Sequence, residues 1–167
     1  RLKFTPFIKE KKVKSIYFIG HSLGGALATL AVYDTGVYLA TQKITSMKLG
    51  LVTFGAPRVG NADFAKYINE DLGLSVNLRI TYKADPIISV PWETTYVHCG
   101  SEYHFTDTKL FGNGASNKDN SPRTKGAWDT IFKLVANIGD HSGYSSLDDK
   151  VLVDIISHAK KTFKKLK

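Results

Sequence analysis

Residues 15–30 read SIYFIGHSLGGALATL, and within about five residues they change from a strand pattern to a helix pattern. The apolar run 16–19 is rich in β-branched and aromatic residues, and it stops at Gly20. A pattern rich in alanine and leucine begins after Gly25. We therefore predict a strand, a sharp turn and a helix, with Ser22 at the turn.

The residues around Ser22 match the G-x-S-x-G pattern in the strand-turn-helix context that this pattern requires. In such a turn, side chains at Gly20 and Gly24 are expected to clash with the neighbouring backbone. The amide of Leu23, at the positive end of the helix, is expected to stabilise a developing oxyanion. A phosphate-binding loop is the alternative, but neither a lysine-bearing phosphate pattern nor a G-x-G-x-x-G spacing occurs here. Ser22 is therefore predicted to be a nucleophile.

The composition limits the classes of protein to which the chain can belong. A chain of 167 residues with 43% hydrophobic and 23% charged residues predicts a single globular domain over 1–167. No uninterrupted apolar run approaches the roughly 20 residues of a membrane-spanning helix. Cys99 is the only cysteine, so no internal disulfide can form, and we expect a small buried side chain rather than a reactive thiol.

The net charge of +8 is concentrated in lysines within 9–14 and 160–167. Such runs are usually solvated faces, and the alternative is attraction to an anionic lipid surface. No interleaved aromatic or arginine pattern favours nucleic acid, so no nucleic-acid partner is expected.

The rest of the chain predicts an α/β protein. Strand, helix, strand, helix and strand follow one another, which implies parallel pairing with right-handed crossovers. Residues 95–105 predict a β-hairpin that turns near Gly100, and 106–126 predict a long loop. The strands are predicted over 15–20, 48–54 and 76–82, and the helices over 1–14, 22–42, 62–72 (with Asn61 as N-cap), 128–135 and 147–163.

A serine hydroxyl needs an imidazole to take its proton and a carboxylate to orient that imidazole. On this kind of sheet the chain order is serine, acid, histidine. Asp85 directly follows the third predicted strand, and its alternative is a solvated turn aspartate before a proline. His141 precedes the last predicted helix and is the best base among the five histidines. No metal-ligand spacing such as H-E-x-x-H occurs, so no metal or cofactor is expected.

With these residues identified, the chain resembles the class 3 lipases, the fungal triacylglycerol lipase-like branch of the α/β-hydrolases. The resemblance implies an α/β-hydrolase fold with a mostly parallel sheet flanked by helices and a C-terminal β-hairpin. It implies Ser22 as nucleophile, His141 as acid and base, Asp85 as its orienter and Leu23 N–H as oxyanion donor. More weakly, it places Pro57 and Val90 near an acyl-binding groove. The matching pieces are residues 20–28, residues 53–61, Asp85-Pro86, Val90-Pro91 and Asp140-His141.

Members of that family usually carry a second oxyanion donor and a lid helix well upstream of the nucleophile. Only 21 residues precede Ser22, and none of them matches those N-terminal strands or the lid. The expectation is the C-terminal portion of a lipase domain, with the missing pieces in an upstream segment or a second chain.

The predicted activity is a serine carboxylester hydrolase that cleaves acylglycerols or related lipid esters. The alternatives are a non-catalytic lipid- or partner-binding module on a hydrolase scaffold and an esterase for soluble esters. Family resemblance alone favours an extracellular location.

Overall fold

The computed structural model describes residues 13–91, 95–106, 109–111 and 139–146. Within these residues, five strands form one sheet in the order β1-β2-β3-β4-β5. The helices predicted over 1–14, 128–135 and 147–163 and the C-terminal lysines lie outside the described residues, apart from residues 13 and 14. The strands are β1 (Ser15–His21), β2 (Lys48–Phe54), β3 (Val76–Tyr82), β4 (Ser101–Thr106) and β5 (Lys109–Phe111).

The first three strands pair in parallel, as the alternation of strands and helices predicts. The pairing aligns His21 with Phe54 and Phe54 with Ile80, so the carboxyl ends of β1, β2 and β3 meet at one edge of the sheet. The residues that follow these strands are thereby brought close together.

The position predicted for the hairpin is wrong. β4 pairs in parallel with β3, and the antiparallel partner of β4 is β5, so the hairpin spans residues 101–111 rather than 95–105. The predicted loop over 106–126 accordingly contains a strand. Gly100 adopts a φ of +85° and directly precedes the parallel strand, and a Cβ there would lie 2.9 Å from Asn77 Oδ1. In the sequence, a glycine that precedes a parallel strand therefore looks the same as a glycine at a hairpin turn.

Helix α1 (Leu23–Thr41) packs on β1 and β2 and buries Ala28, Val32 and Leu39 against the sheet. Its length of 19 residues and mean hydropathy of 1.2 reach those of a membrane span, contrary to the expectation from uninterrupted apolar runs. One face of α1 packs on β1 and β2, and helices in the core of soluble proteins pass the same test.

Helix α2 (Ala62–Lys66) begins where predicted, because the Asn61 side chain accepts a hydrogen bond of 2.9 Å from Phe64 N. It continues as a π-helical turn (Tyr67–Asp71) rather than as α-helix to residue 72. Gly73 follows with a φ of +65°.

Two apolar clusters cover opposite faces of the sheet, because neighbouring strand residues such as Leu51 and Val52 point to opposite sides. One cluster lies beneath α1 and includes Leu51 and Val32. The other includes Ile80 and Tyr144, so residues 139–146 pack on the second face.

The described sheet has uncovered apolar side chains beside β1, which is an edge strand. On β1, alternate residues are exposed, and they lie on the face opposite α1, because Ile19 pairs with Val52. Helix α1 exposes leucines on one helical face. We call these exposed side chains together the open edge; its members are Tyr17, Ile19, Leu23, Leu27 and Leu30.

Candidate active site

Ser22 alone connects β1 to α1 and has a φ of 56° and a ψ of −131°. Such a conformation is strained for a residue with a side chain, and it is typical of functional sites. The Ser22 amide donates a 2.9 Å hydrogen bond to the Phe54 carbonyl, which ties the turn to β2. The turn therefore has the sharp geometry that the pattern predicts.

The glycines around Ser22 are constrained differently from the expectation. A Cβ at Gly20 would lie 2.1 Å from the Gly24 carbonyl oxygen, so a side chain there is excluded as predicted. At Gly24, however, a Cβ would meet nothing within 4 Å, and the expected clash there is wrong. The second constraint falls on Gly25, where a Cβ would lie 2.6 Å from that of Ala56. It is the following glycine that faces the loop after β2.

The structure brings together the serine, histidine and aspartate named from the sequence. His141 Nε2 lies 2.7 Å from Ser22 Oγ, and His141 Nδ1 lies 3.0 Å from each carboxylate oxygen of Asp85. If Nδ1–H donates to the carboxylate, Nε2 is left to accept the hydrogen of the Ser22 hydroxyl. A proton can therefore move from Ser22 to His141 without rearrangement.

Asp85 is fully buried and held from several sides. It precedes a short 3₁₀ helix (Pro86–Ser89), and its Oδ1 accepts a 2.9 Å hydrogen bond from Ile87 N. Its Oδ2 accepts a 2.7 Å hydrogen bond from the Tyr144 hydroxyl. Such donors replace the water that a buried carboxylate loses. The carboxylate is thus fixed in the orientation that His141 contacts.

Sequence reasoning missed Tyr144, which is 9% exposed and contacts both Asp85 and the end of β3. Its oxygen accepts a 2.9 Å hydrogen bond from Tyr82 N. Burial and, secondarily, the negative charge of Asp85 raise the pKa of the Tyr144 hydroxyl above its ordinary value. The hydroxyl therefore stays protonated as a donor. The available signal was its spacing of three residues from His141, one helical turn.

Arg58 is a second residue without an assigned role in the sequence reasoning. It is buried, and its guanidinium donates to the carbonyls of Ser89 (2.6 Å) and Pro91 (2.8 Å), while its amide donates to Val90 O (2.8 Å). These bonds attach the loop after β2 to the segment that follows Asp85.

His21 is a second histidine beside Ser22 in the chain, but it is not the base. It contacts the base instead: its ring stacks on that of His141 at 4.7 Å, and its Nε2 lies 3.0 Å from the His141 carbonyl oxygen. Residues 139–142 are helical, and within them Asp140 Oδ2 accepts a 3.2 Å hydrogen bond from Ala84 N. The helical segment that carries His141 is therefore attached both to the turn and to the segment before Asp85.

Three further site residues were named from the sequence, and they are Leu23, Val90 and Pro57. The amide of Leu23 belongs to the first turn of α1, where N–H groups have no partner within the helix. Val90 is half-buried, with its carbonyl bound by Arg58. Pro57 lines a small cavity shared with Cys99, whose pKa is raised by burial to about 12, so the thiol is protonated at neutral pH. The cavity is lined by Thr29, Thr53, Ala56, Pro57, Val59, Arg79, His98 and Cys99.

Among the described residues, no group of three or more histidine, cysteine or acidic side chains is arranged to hold a metal ion.

The sequence and the structure are similar to those of known lipases. The secreted mono- and diacylglycerol lipase A of Penicillium cyclopium is 42% identical over 89 residues, which cover 53% of this chain and 26% of that protein. A lipase of Rhizopus oryzae is 39% identical over 104 residues, covering 59% of this chain and 26% of that protein. The chain thus spans about a quarter of the length of these relatives.

Among solved structures, the lipase propeptide complex of Rhizomucor miehei superposes with a TM-score of 0.59 at 27% identity, over 81% of this chain and 42% of that one. The parallel sheet with its flanking helices therefore has the α/β-hydrolase fold. The family model for class 3 lipases matches residues 3–95, more than half of the sequence. The chain belongs to the class 3 lipase family.

Proposed function

We propose that this chain is the part of a serine carboxylester hydrolase that carries the catalytic triad, acting on acylglycerols or related lipid esters. The observation that supports this best is the half-buried imidazole of His141, which bridges the Ser22 hydroxyl at 2.7 Å and the buried Asp85 carboxylate at 3.0 Å.

In the first half-reaction, the Ser22 oxygen attacks the ester carbonyl carbon while His141 Nε2 takes the hydroxyl proton. The carbonyl oxygen becomes an oxyanion, which the Leu23 N–H stabilises. When the C–O bond to the alcohol breaks, His141 returns the proton to the leaving oxygen. An acyl group remains on Ser22.

In the second half-reaction, water attacks the acyl carbon and His141 takes one of its protons. Collapse of the new tetrahedral intermediate breaks the bond to Ser22 and returns the proton to the serine oxygen. The fatty acid is released, and no cofactor or metal takes part in either half-reaction.

A lipid ester is the substrate class that the surroundings of Ser22 favour. Leu23 and Ile19, on either side of the nucleophile, are 66% and 65% exposed. The relatives carry names of acylglycerol lipases, and Pro57 and Val90 are the candidates for acyl contact. An esterase for soluble esters shares the chemistry and differs only in the pocket.

The open edge supports a further polypeptide partner, either an upstream segment of the same protein or a second chain. Such a partner would cover Tyr17 and Ile19, and it would supply the second oxyanion donor. Loss of one donor lowers turnover about 10²- to 10³-fold in other hydrolases. We accordingly expect weak hydrolysis by this chain alone.

Attraction to an anionic lipid surface would act at a different place. Lys14 directly precedes β1 and Lys48 begins β2, whereas Ser22 follows the last residue of β1. A strand of seven residues spans roughly 20 Å, so these lysines lie at the amino-terminal ends of the strands, whereas the nucleophile lies at their carboxyl ends. Binding through Lys14 and Lys48 would not present Ser22 to the same surface; of the lysines within 9–14 and 160–167, the structure describes Lys14. An extracellular location is supported only by relatives named as secreted.

The proposal is tested by treating the folded chain with an alkyl fluorophosphonate and mapping the adduct by peptide mass analysis. A single adduct on Ser22, absent from Ser22→Ala and retained in the exposed-site control Ser46→Ala, is the expected result. Folded wild-type protein that takes up no label, with or without added upstream segment, would favour the non-catalytic binding module. Hydrolysis rates against acyl length, below and above the aggregation limit of each ester, then distinguish a lipase from an esterase for soluble esters.

A further inference from the structure

We propose that Tyr144 is a positioning residue for this reaction, which orients Asp85 and thereby sets the hydrogen bond between Asp85 and His141. The inference rests on the proposed function and assigns a role to a residue outside the triad.

The direction of the two hydrogen bonds of Tyr144 is fixed by their partners. The backbone N–H of Tyr82 can only donate, so the Tyr144 oxygen accepts it at 2.9 Å. The single hydroxyl hydrogen is then directed to Asp85 Oδ2, 2.7 Å away. Because Tyr82 is the last residue of β3, the sheet itself holds Tyr144 in place.

The orientation of the Asp85 carboxylate depends on one donor at each oxygen in addition to His141. Oδ1 is held by Ile87 N, and Oδ2 is held by Tyr144. His141 Nδ1 is 3.0 Å from both oxygens, so it faces the carboxylate symmetrically. Without the Tyr144 hydroxyl, Oδ1 would keep its donor, Ile87 N, but Oδ2 would lose its own. The carboxylate could then rotate away from this symmetric position.

The space beside Tyr144 and Tyr82 depends on two glycines, Gly55 and Gly143. A Cβ at Gly55, which has a φ of +53°, would lie 2.6 Å from Asp85 Oδ2 and 2.7 Å from the Tyr144 ring. A Cβ at Gly143 would lie 2.3 Å from the Tyr82 ring. A side chain at position 55 would therefore displace the carboxylate or the tyrosine ring, and one at position 143 would displace the Tyr82 ring. The ring also contacts His141 edge-on at 6.4 Å.

The test compares Tyr144→Phe with Tyr103→Phe. Tyr103 is 1% exposed and belongs to the same apolar cluster, so its variant also loses a buried hydroxyl while leaving that of Tyr144 in place. For Tyr144→Phe we expect kcat on a dissolved ester to fall about tenfold or more with KM unchanged. Tyr103→Phe should keep the wild-type kcat. Equal behaviour of the two variants would overturn the inference.

A second measurement does not depend on turnover. The Nδ1 proton of His141 is followed by NMR in protein labelled at histidine with ¹⁵N. Its signal should shift in Tyr144→Phe and stay in place in Tyr103→Phe, whether or not the chain hydrolyses esters. An unchanged signal in Tyr144→Phe would overturn the inference, whereas failure of Ser22 to react in the wild-type protein counts against the proposed function alone.

Discussion

The two ends of the hydrogen-bonded series Asp85, His141 and Ser22 have opposite surroundings. Asp85 is fully buried, accepts hydrogen bonds from Ile87 and Tyr144, and precedes a segment that Arg58 binds. Ser22 directly follows the edge strand β1 and lies beside exposed apolar side chains of the open edge. The acid end is thus assembled from the described residues, whereas the nucleophile end presents a surface that suits a substrate or a further polypeptide.

This difference separates two kinds of mutational effect. Changes at the acid end should act through the chain itself and be visible without any partner. Changes at the open edge should have little effect on the isolated chain and a larger effect when the surface is covered.

The largest effect is expected at the acid end, for Asp85→Asn. The amide no longer fixes the productive tautomer of His141, and kcat on a dissolved ester should fall about 10⁴-fold, as in other serine hydrolases. The matched control is Asp140→Asn, because an amide oxygen can still accept the bond from Ala84 N. Similar losses in the two variants would show that Asp85 has no special role.

The next effect compares isoleucines on one face of the sheet. Ile80 is 1% exposed and Ile19 is 65% exposed, and the strand register places them on the same side. Ile80→Ala should lower the free energy of unfolding by about 2–5 kcal/mol, and Ile19→Ala should change it by about 0.5 kcal/mol or less. Denaturant unfolding measures both. A large loss for Ile19→Ala would mean that the open edge is covered in solution, for example by a second copy.

The sequence was sufficient for the parts of the molecule that depend on local pattern and chain order. The three parallel strands follow from apolar runs separated by helices, and the turn at Ser22 follows from its glycines. Asp85 and His141 were identified because loops after parallel strands meet at one edge. The side chains lie within hydrogen-bond distance although 56 residues separate Asp85 from His141.

The features that were missed depend on partners distant in the sequence. Residues 95–105 have the same alternation whether they form a hairpin or a strand beside β3, and only the pairing of Ile80 with Tyr103 distinguishes the two. Arg79 and Glu102, a buried ion pair at 2.8 Å, look like exposed residues until they are seen together. Arg58 acts through backbone carbonyls, which no residue pattern reveals, and the place of Tyr144 depends on the amide of Tyr82 as well as on Asp85.

A smaller effect is expected when Arg58 is replaced by Met. The carbonyls of Ser89 and Pro91 would lose their guanidinium donor inside the structure, and an unpaired buried polar group costs about 1–3 kcal/mol. We expect the free energy of unfolding to fall by about 2 kcal/mol and kcat to fall less than in Asp85→Asn. Arg58→Lys, which keeps the charge but not the planar fork, should recover only part of the loss. An unchanged melting temperature in Arg58→Met would contradict this role.

The smallest expected effect concerns acid stability on β4. Burial lowers the pKa of His104 below its ordinary value of 6.5, with Glu102 opposing and Arg79 reinforcing the shift. The unfolded chain therefore binds a proton at a pH where the folded chain does not, so this contribution to stability is complete above pH 6.5 and is lost as the pH falls below it.

The melting temperature of the wild-type chain should accordingly decrease between pH 7.5 and pH 5.5, and His104→Asn should decrease less over the same interval. Because His104 is half-buried and its Nδ1 lies 2.9 Å from the Thr81 hydroxyl, Asn keeps a polar partner for that hydroxyl while removing the titration. Equal decreases in the two proteins would place the acid sensitivity elsewhere. A smaller decrease in the variant would assign part of the acid sensitivity to the pair of strands β3 and β4 rather than to the open edge.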